Sequence, residues 1–354
     1  MIFFFLVFIF NSFCSFGQQS RLLQKNSNLF IFTYKSETYL IENDSIDNIS
    51  SKQKGFPKLH NLEIKDFKFV SNESVGYLKD ASSGVIYNFD GNTFKRLDNS
   101  FSFKDQFYSY SFIHNKNVFD FGGYGFFNYK NLITYFNFSE KETEIYHHKN
   151  ALNSIPNPRM RMMAQYDDEV LYIGPGLGIQ SDIENPYVNE GLISDYWQFS
   201  FKNKTWSKLG ENIIKSNYPY FFIYDYNGHS LLIYDYEIYE CDIKNNILIH
   251  YPKANTDIIK AINKKKCLIT YNKKKGGFYI IINKSLINKS EILFVNRSNL
   301  FGPVKVVSEL YKTNKNYYFC AFVVLICIIC FWLSSRKHIV YSDIFELHPS
   351  LIRS

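Results

Sequence analysis

The side chains best suited to chemistry are few and scattered. Between residues 18 and 314 the candidate metal ligands are His60, His114, His147, His148, His229, His250, Cys241 and Cys267. Only His147 and His148 are adjacent, and neighbouring residues of a strand point to opposite faces, so the pair is poorly placed to chelate one metal ion. This region contains no Cys-x-x-Cys spacing, no nucleophile elbow and no Walker phosphate loop. We therefore predict no metal, no cofactor and no catalytic residue.

An acidic and aromatic segment is the best candidate for ligand recognition. Residues 177–194 form the longest insert between predicted strands, and long loops often carry binding specificity. The candidate binding residues in it are Asp182, Glu184, Tyr187 and Glu190. A loop without any partner explains the same segment equally well, so both interpretations stay open.

The elements that must position this loop come from an internal repeat. Six copies follow one another at a spacing of about 45–50 residues. They include residues 29–41, 85–97, 118–146, 158–209, 239–248 and 267–295. Each copy has short alternating strands separated by polar turns, which predicts an all-β fold. A repeat of this length with about four strands is typical of one β-propeller blade, so six blades are preferred, with five and seven as alternatives.

Aromatic residues recur at fixed positions of this repeat. Trp197, Phe199 and Phe201 share one strand face, and Trp206 faces them from the next strand. The copy at 85–97 overlays residues 197–209 without a gap and places Phe94 at the Trp206 position. We expect these rings to pack between adjacent sheets, each burying roughly 150–250 Å².

Paired glycines are a second recurring feature. Gly122-Gly123 and Gly276-Gly277 are taken as equivalent, and Gly174-Pro175 fills the place in another copy. Glycine at such a position permits a turn with positive φ and a close approach to neighbouring backbone.

Together, Pro158-Arg159, the strand into Gly174, Gly122-Gly123 and the Trp197-to-Trp206 spacing resemble the kelch repeat of galactose-oxidase-type β-propellers. The resemblance implies that residues 18–314 form a kelch-like propeller and that its main role is binding. Copper oxidases of this group need two Tyr and two His at the axis, and no histidine here lies in a matching context.

Sialic-acid mutarotases share the kelch scaffold, and similarity to them implies acid or base residues in the central funnel. The residues available for that role are Asp195, Asp225, Glu190 and Arg159. A simpler interpretation is structural: Arg159 fills the family's structural arginine position, and Asp195 opens the repeat motif.

The two ends of the chain predict a topology. Ile2 to Phe10 are apolar but too few to cross a hydrocarbon core of ~30 Å. Small residues at Ser15 and Gly17 match a cleavage site, so residues 1–17 are predicted to be a signal peptide. Residues 317–333 carry no charge, which predicts a transmembrane helix at 315–335. Residues 18–314 would then lie outside the membrane, with a cytoplasmic tail at 336–354.

Composition narrows the functional classes. The chain is 46% apolar and 19% aromatic, which excludes a mostly disordered protein. The net charge of +7 comes from scattered basic residues, which argues against a nucleic-acid partner. An oxidising compartment permits a bridge between Cys241 and Cys267, although both also fit inward strand positions.

These features predict a membrane-tethered extracytoplasmic β-propeller that binds a protein or glycan ligand through one loop face, without catalysis. The alternative is an envelope carbohydrate-active enzyme, mutarotase-like or oxidase-like, that uses the propeller funnel. A third hypothesis is a receptor subunit whose short tail recruits a cytoplasmic effector.

Overall fold

The computed structural model describes residues 21–24, 29–42, 45–50, 67–72, 74–80, 84–99, 106–151, 154–167, 169–180, 189–212, 221–226, 228–234, 237–252, 254–255, 257–260, 268–284, 289–312, 325–330 and 332. Two compact units divide the chain, Met1–Tyr311 and Lys312–Ser354. The described part of the first unit is mostly β, as the alternating sequence patterns predict, and contains six principal antiparallel sheets.

The first strand, β1 (Arg21–Gln24), belongs to the last of these sheets. Sheet 1 consists of β2 (Leu29–Tyr34), β3 (Glu37–Glu42) and β4 (Ser45–Asn48). Sheet 2 consists of β5 (Phe67–Ser71), β6 (Gly76–Asp80), β7 (Ile86–Phe89) and β8 (Phe94–Arg96). Sheet 3 is built from β9 (Tyr110–His114), β10 (Asn117–Phe121), β13 (Ile133–Asn137) and β14 (Glu142–Tyr146). A separate ribbon, β11 (Tyr124–Gly125) and β12 (Asn128–Tyr129), lies between β10 and β13 in the chain.

Sheet 4 contains β16 (Ala164–Asp167), β17 (Val170–Ile173), β20 (Asp195–Ser200) and β21 (Thr205–Asn212), with β30 (Tyr311–Lys312) at its edge. A separate small sheet is formed by β15 (Arg159–Met160), β18 (Gly176–Gln180) and β19 (Asn189–Ile193). Sheet 5 contains β22 (Phe221–Tyr226), β23 (His229–Tyr234), β24 (Glu237–Asp242) and β25 (Ile247–Tyr251), with β29 (Val306–Glu309) at its edge. Sheet 6 contains β26 (Leu268–Asn272), β27 (Gly277–Lys284) and β28 (Lys289–Asn296), and β1 pairs with β28. A short helix, α1 (Arg297–Phe301), follows β28.

Six apolar clusters lie between the sheets. Five clusters each combine residues of two sheets that follow one another in the chain, and the sixth combines residues of sheet 6 and sheet 1. Representative pairs are Phe32 with Phe89, Val70 with Val118, Phe121 with Trp206, Tyr196 with Leu248, Tyr226 with Phe278, and Ile281 with Leu40. The clusters therefore connect the six sheets in order and also connect the last sheet to the first.

The predicted aromatic positions are confirmed. Trp197, Phe199, Phe201 and Trp206 all belong to the cluster between sheets 3 and 4. The ring of Trp206 lies 5.0 Å from that of Phe121 in the preceding sheet. Each of the six copies read from the sequence falls in a different one of the six sheets, but the copies do not all cover equivalent strands: residues 85–97 contain the third and fourth strands of sheet 2, whereas residues 29–41 contain the first two strands of sheet 1.

The equivalence of the two diglycines is wrong. Gly122 follows the second strand of sheet 3, has a φ of 69°, and a Cβ there would lie 2.6 Å from the backbone oxygen of Arg159. Gly276 instead belongs to the turn between β26 and β27, with a φ of 63° and open space around it. Both glycines supply a positive φ, but only Gly122 allows close packing of backbone. Gly174-Pro175 follows the second strand of sheet 4, in the Gly122 position, as predicted.

The C-terminal unit is described only in part. Residues 325–330 are helical and exposed. Among the residues that the structure describes, no helix is both long enough and apolar enough to span a bilayer. The predicted signal peptide at 1–17, the cytoplasmic tail at 336–354 and most of the predicted helix at 315–335 lie outside the described residues.

Candidate ligand-binding site

Two insertions distinguish sheets 3 and 4 from the other sheets. The β11–β12 ribbon follows β10, and β18 and β19 follow β17, so each insertion comes after the second strand of its sheet. The two are adjacent because β15 lies between them. The backbone N–H of Gly123 donates to the oxygen of Arg159 at 2.8 Å, the N–H of Arg159 donates to the oxygen of Lys130 at 3.1 Å, and β15 pairs with β18. The two insertions therefore form one continuous surface, which we call the insertion face.

The segment predicted as one long loop, residues 177–194, is paired at its base. Residues 176–180 and 189–193 form antiparallel strands, with Gly178 opposite Gly191. A Cβ at Gly178 would clash with the backbone oxygen of Pro158, so glycine at this position allows the strands to approach closely. The expectation of an unpaired loop beginning at residue 177 is therefore wrong.

The four candidate binding residues are placed unevenly. Glu190 lies on β19, where its backbone is opposite Ile179. Asp182, Glu184 and Tyr187 lie outside the described residues. The two ends of the predicted segment 177–194, which are β18 and β19, therefore lie on the insertion face.

Arg159 and Asp195 form a buried ion pair beneath the insertion face. The Arg159 side chain is fully buried, and its Nη2 donates to Asp195 Oδ1 at 2.6 Å. Its Nη1 donates to the backbone oxygen of Gly174 at 2.9 Å, and its Nε donates to that of Asn157 at 3.1 Å. Burial lowers the pKa of Arg159, although Asp195 opposes that shift. The two residues are bound to each other and to backbone, which fits the structural interpretation rather than acid or base catalysis. Asp225, the other acid considered, lies on β22.

The ribbon carries an exposed aromatic tip. Phe126 and Phe127 form the two-residue turn between β11 and β12, and these residues are 59% and 93% exposed. Beside the ribbon, Tyr108 is 45% exposed, and the guanidinium of Arg161 lies 4.1 Å from its ring centroid. The ammonium of Lys130 lies 5.7 Å from the Phe126 ring centroid. We call these five residues the aromatic corner.

A buried ion cluster joins sheets 2 and 3. Lys79 Nζ contacts Asp120 Oδ2, and both side chains are almost fully buried. Asp120 Oδ1 accepts hydrogen bonds from the hydroxyls of Ser111 at 2.5 Å and Ser109 at 3.2 Å. Lys68 Nζ donates to the backbone oxygen of Ser109 and, at 3.0 Å, contacts its hydroxyl oxygen. Lys79 therefore contacts the carboxylate directly, and Lys68, held by Ser109, interacts with it at longer range.

The protonation of this cluster follows from its burial. Burial lowers the pKa of Lys68 to about 8, although the nearby Asp120 opposes the shift. Burial acts to raise the pKa of Asp120, but Lys79 and Lys68 outweigh it, and the pKa falls below its usual value. The carboxylate is thus charged at neutral pH, as an interior counterion should be.

A second charged cluster involves sheet 5 and α1. His229 Nδ1 lies 2.8 Å from Glu240 Oε1, and its Nε2 lies 3.3 Å from Asp242 Oδ2. Tyr251 donates to Glu240 Oε2 at 2.9 Å, and Arg297 Nη2 donates to the Tyr251 hydroxyl at 3.0 Å. The hydrogen bond to Glu240 raises the pKa of His229 against the effect of burial. Because both ring nitrogens face carboxylates, this site favours the imidazolium ion.

The remaining metal and thiol candidates stay apart. His147 is exposed and His148 half-buried, and both follow the end of β14 rather than lying on a strand. Across the residues described, no group of three or more His, Cys, Asp or Glu side chains is arranged to hold a metal ion. Cys241 is a free, buried thiol, and burial raises its pKa. Cys267 lies outside the described residues.

Comparison with known protein sequences identifies no relative. No protein-family model and no curated protein sequence matches the chain.

Sequence reasoning missed the aromatic tip and both ion clusters. The sequence signal for the tip is a pair of adjacent phenylalanines flanked by two turn-forming residues, Gly125 and Asn128. The signal for the first ion cluster is a charge inside an apolar strand: Lys79 in Gly-Tyr-Leu-Lys-Asp and Asp120 in Asn-Val-Phe-Asp-Phe. A charge at such a position requires a buried partner.

Proposed function

We propose that residues 18–314 form a six-bladed, kelch-like β-propeller that binds a ligand through the insertion face. Two features support the propeller: six antiparallel sheets in chain order, and six apolar clusters that connect each sheet to the next and the last to the first. Pairing of β1 with β28 also places the first described strand in the last of the six sheets, which would close the ring.

One observation carries the assignment of binding to this face. Both insertions extend from the same place in their sheets, and Arg159 joins them through its backbone. Functional residues in β proteins are concentrated in such additions to a rigid scaffold. We therefore propose that residues 181–188, which connect β18 to β19, and the adjacent Glu190 on β19 contribute ligand contacts, with Asp182, Glu184 and Tyr187 as the candidates among residues 181–188.

The proposed ligand is a protein or a glycan and not a nucleic acid, because the excess positive charge is small and spread along the chain. The proposed location is outside the membrane, tethered by the apolar segment at 315–335. We propose binding without catalysis, since two of the residues considered for sugar chemistry, Asp195 and Arg159, are paired with each other below the surface.

The test is a binding assay on arrays of glycans and of extracellular proteins with the full-length chain in detergent. Replacing residues 181–188 by a Gly-Ser linker of equal length should abolish binding to any ligand found. The matched control replaces Asn92 and Thr93, in the exposed turn between β7 and β8, by Gly-Ser and should bind normally. Undiminished binding by the loop variant would remove the loop assignment. Turnover of a sialic acid or another sugar by the purified chain would favour the enzyme alternative.

A further inference from the structure

The ion cluster between sheets 2 and 3 contains two lysines and a single aspartate. Lys79 contacts Asp120 directly, whereas Lys68 is held by the hydroxyl and the backbone oxygen of Ser109. Asp120 therefore attracts Lys68 only at longer range, and the charge of Lys79 repels it. Loss of one proton from Lys68 leaves the cluster without net charge, in an interior where an extra charge is costly.

The protonation of Lys68 responds to this environment. Burial has the largest effect and lowers the pKa of Lys68 to about 8, whereas an ordinary lysine titrates near 10.4. At neutral pH about 10% of such a group is the uncharged amine, compared with less than about 0.1% of an ordinary lysine. The uncharged amine is the form of lysine that attacks carbonyl groups.

The hydrogen bonds leave the lone pair of this amine unused. The Ser109 hydroxyl donates its proton to Asp120 Oδ1 at 3.2 Å, so it accepts from Lys68 Nζ, which lies 3.0 Å away. The backbone oxygen of Ser109 is also an acceptor. The two N–H groups of an uncharged Lys68 satisfy these two acceptors, and the lone pair of Nζ stays available for a reaction.

Lys68 also lies on the more open side of the cluster. Lys68 on β5 and Ser111 on β9 are half-buried, whereas Lys79, Asp120 and Ser109 are buried. β5 and β9 are the first strands of sheets 2 and 3, and they contact each other. In the ring proposed above the first strands would surround the axis, so a small molecule would approach Lys68 through the central channel.

We propose that Lys68 is a covalent attachment site for small aldehydes and ketones, such as the open-chain form of a reducing sugar. The lone pair of Nζ forms a bond to the carbonyl carbon, the carbonyl oxygen takes up the two N–H protons and leaves as water, and an imine remains. The step involves no change of oxidation state. The attachment is independent of residues 181–188, and only its route of access rests on the proposed propeller.

The experiment treats the full-length chain in detergent with glycolaldehyde and cyanoborohydride, which reduces an imine to a stable secondary amine. Mass spectrometry of the peptides then gives the rate of modification at each lysine. Lys95, which is exposed on β8 of sheet 2, is the internal control. At neutral pH Lys68 should react about tenfold faster than Lys95, because about 200-fold more uncharged amine than in an ordinary lysine outweighs its lower basicity.

The pH dependence gives a second readout. The ratio of the Lys68 rate to the Lys95 rate should fall above about pH 8, where Lys68 is already uncharged while an ordinary lysine is still losing protons. Lys79→Met removes the charge that repels Lys68, so it should slow the labelling of Lys68 at neutral pH and leave that of Lys95 unchanged. Thermal unfolding verifies that this variant folds, and the pH profile of the wild type decides alone if it does not.

Labelling of Lys68 no faster than that of Lys95, or a ratio that stays constant up to about pH 9, would overturn the proposal. Unchanged labelling of the variant that replaces residues 181–188 would show that the attachment is separate from the proposed ligand site. The proposed function would stand if Lys68 failed this test, because array binding is measured on the loop variant and not on Lys68.

Discussion

The buried ion cluster between sheets 2 and 3 gives the sharpest test of the packing described above. The substitution Asp120→Asn keeps the shape of the side chain and, through its amide oxygen, an acceptor for the Ser109 and Ser111 hydroxyls. It removes the charge and replaces the oxygen that faces Lys79 by an amide NH2 group. Lys79 would then be an almost fully buried ammonium without its counterion. Lys68 would lose the same carboxylate.

Removing one partner of a buried ion pair costs about 3–5 kcal/mol. Because two lysines depend on Asp120, we expect Asp120→Asn to lower the free energy of unfolding by about 3–5 kcal/mol at pH 7. The pKa of Asp120 is lowered in the folded protein, so its contribution is complete above the unfolded pKa of about 4 and is lost as the pH falls through the folded pKa. The difference between wild type and variant should therefore shrink below about pH 4.

Urea unfolding followed by tyrosine and tryptophan fluorescence would measure this change. Lys79→Met combined with Asp120→Asn should recover part of the loss, with a coupling free energy of about 0.5–3 kcal/mol. The exposed pair Lys208–Glu211 is the matched control, since Glu211→Gln should cost about 0–1 kcal/mol. A loss for Asp120→Asn no larger than that of the control would refute the assignment of a buried, shared counterion.

Three further outcomes are expected. The carboxylate neighbours of His229 raise its pKa in the folded protein. The charged imidazole therefore contributes fully to the stability of the fold below the unfolded pKa of about 6.5, and this contribution disappears as the pH rises through the folded pKa. His229→Gln should remove this pH dependence from the urea midpoints of unfolding. Gly122→Ala should lower the melting temperature more than Gly91→Ala, because both sites have positive φ but only a Cβ at Gly122 meets backbone, and equal shifts would contradict this. Cys241 should resist alkylation until the protein unfolds, so labelling of the native chain would show that its burial is wrong.

The strands and turns could be predicted from the sequence because their signals are local. Alternation within a strand and a polar turn after it require only a few neighbouring residues, and the aromatic series from Trp197 to Trp206 shows both. The same residues pack against sheet 3, as their fixed place in the repeat predicts.

Other features depend on contacts between distant residues. Lys79 and Asp120 are 41 positions apart, and their pairing depends on how two sheets face each other. The strands β18 and β19 pair with each other and β18 pairs with β15, and the length of the insert alone does not indicate these pairings. Likewise β29 joins the edge of sheet 5 although sheet 6 precedes it in the chain, which no local pattern indicates.

Because Arg21–Gln24 pairs with residues 289–292, sheet 6 can be completed only after residue 292 has been synthesised. A ribosome must add about 270 residues after the first strand before its partner exists, which takes roughly 15–50 s at usual elongation rates. Throughout that interval the backbone groups of β1 have no partner strand, and sheet 1 has no contact with sheet 6. Nascent or truncated chains that stop before residue 289 are therefore the species most exposed to aggregation and to cellular quality control.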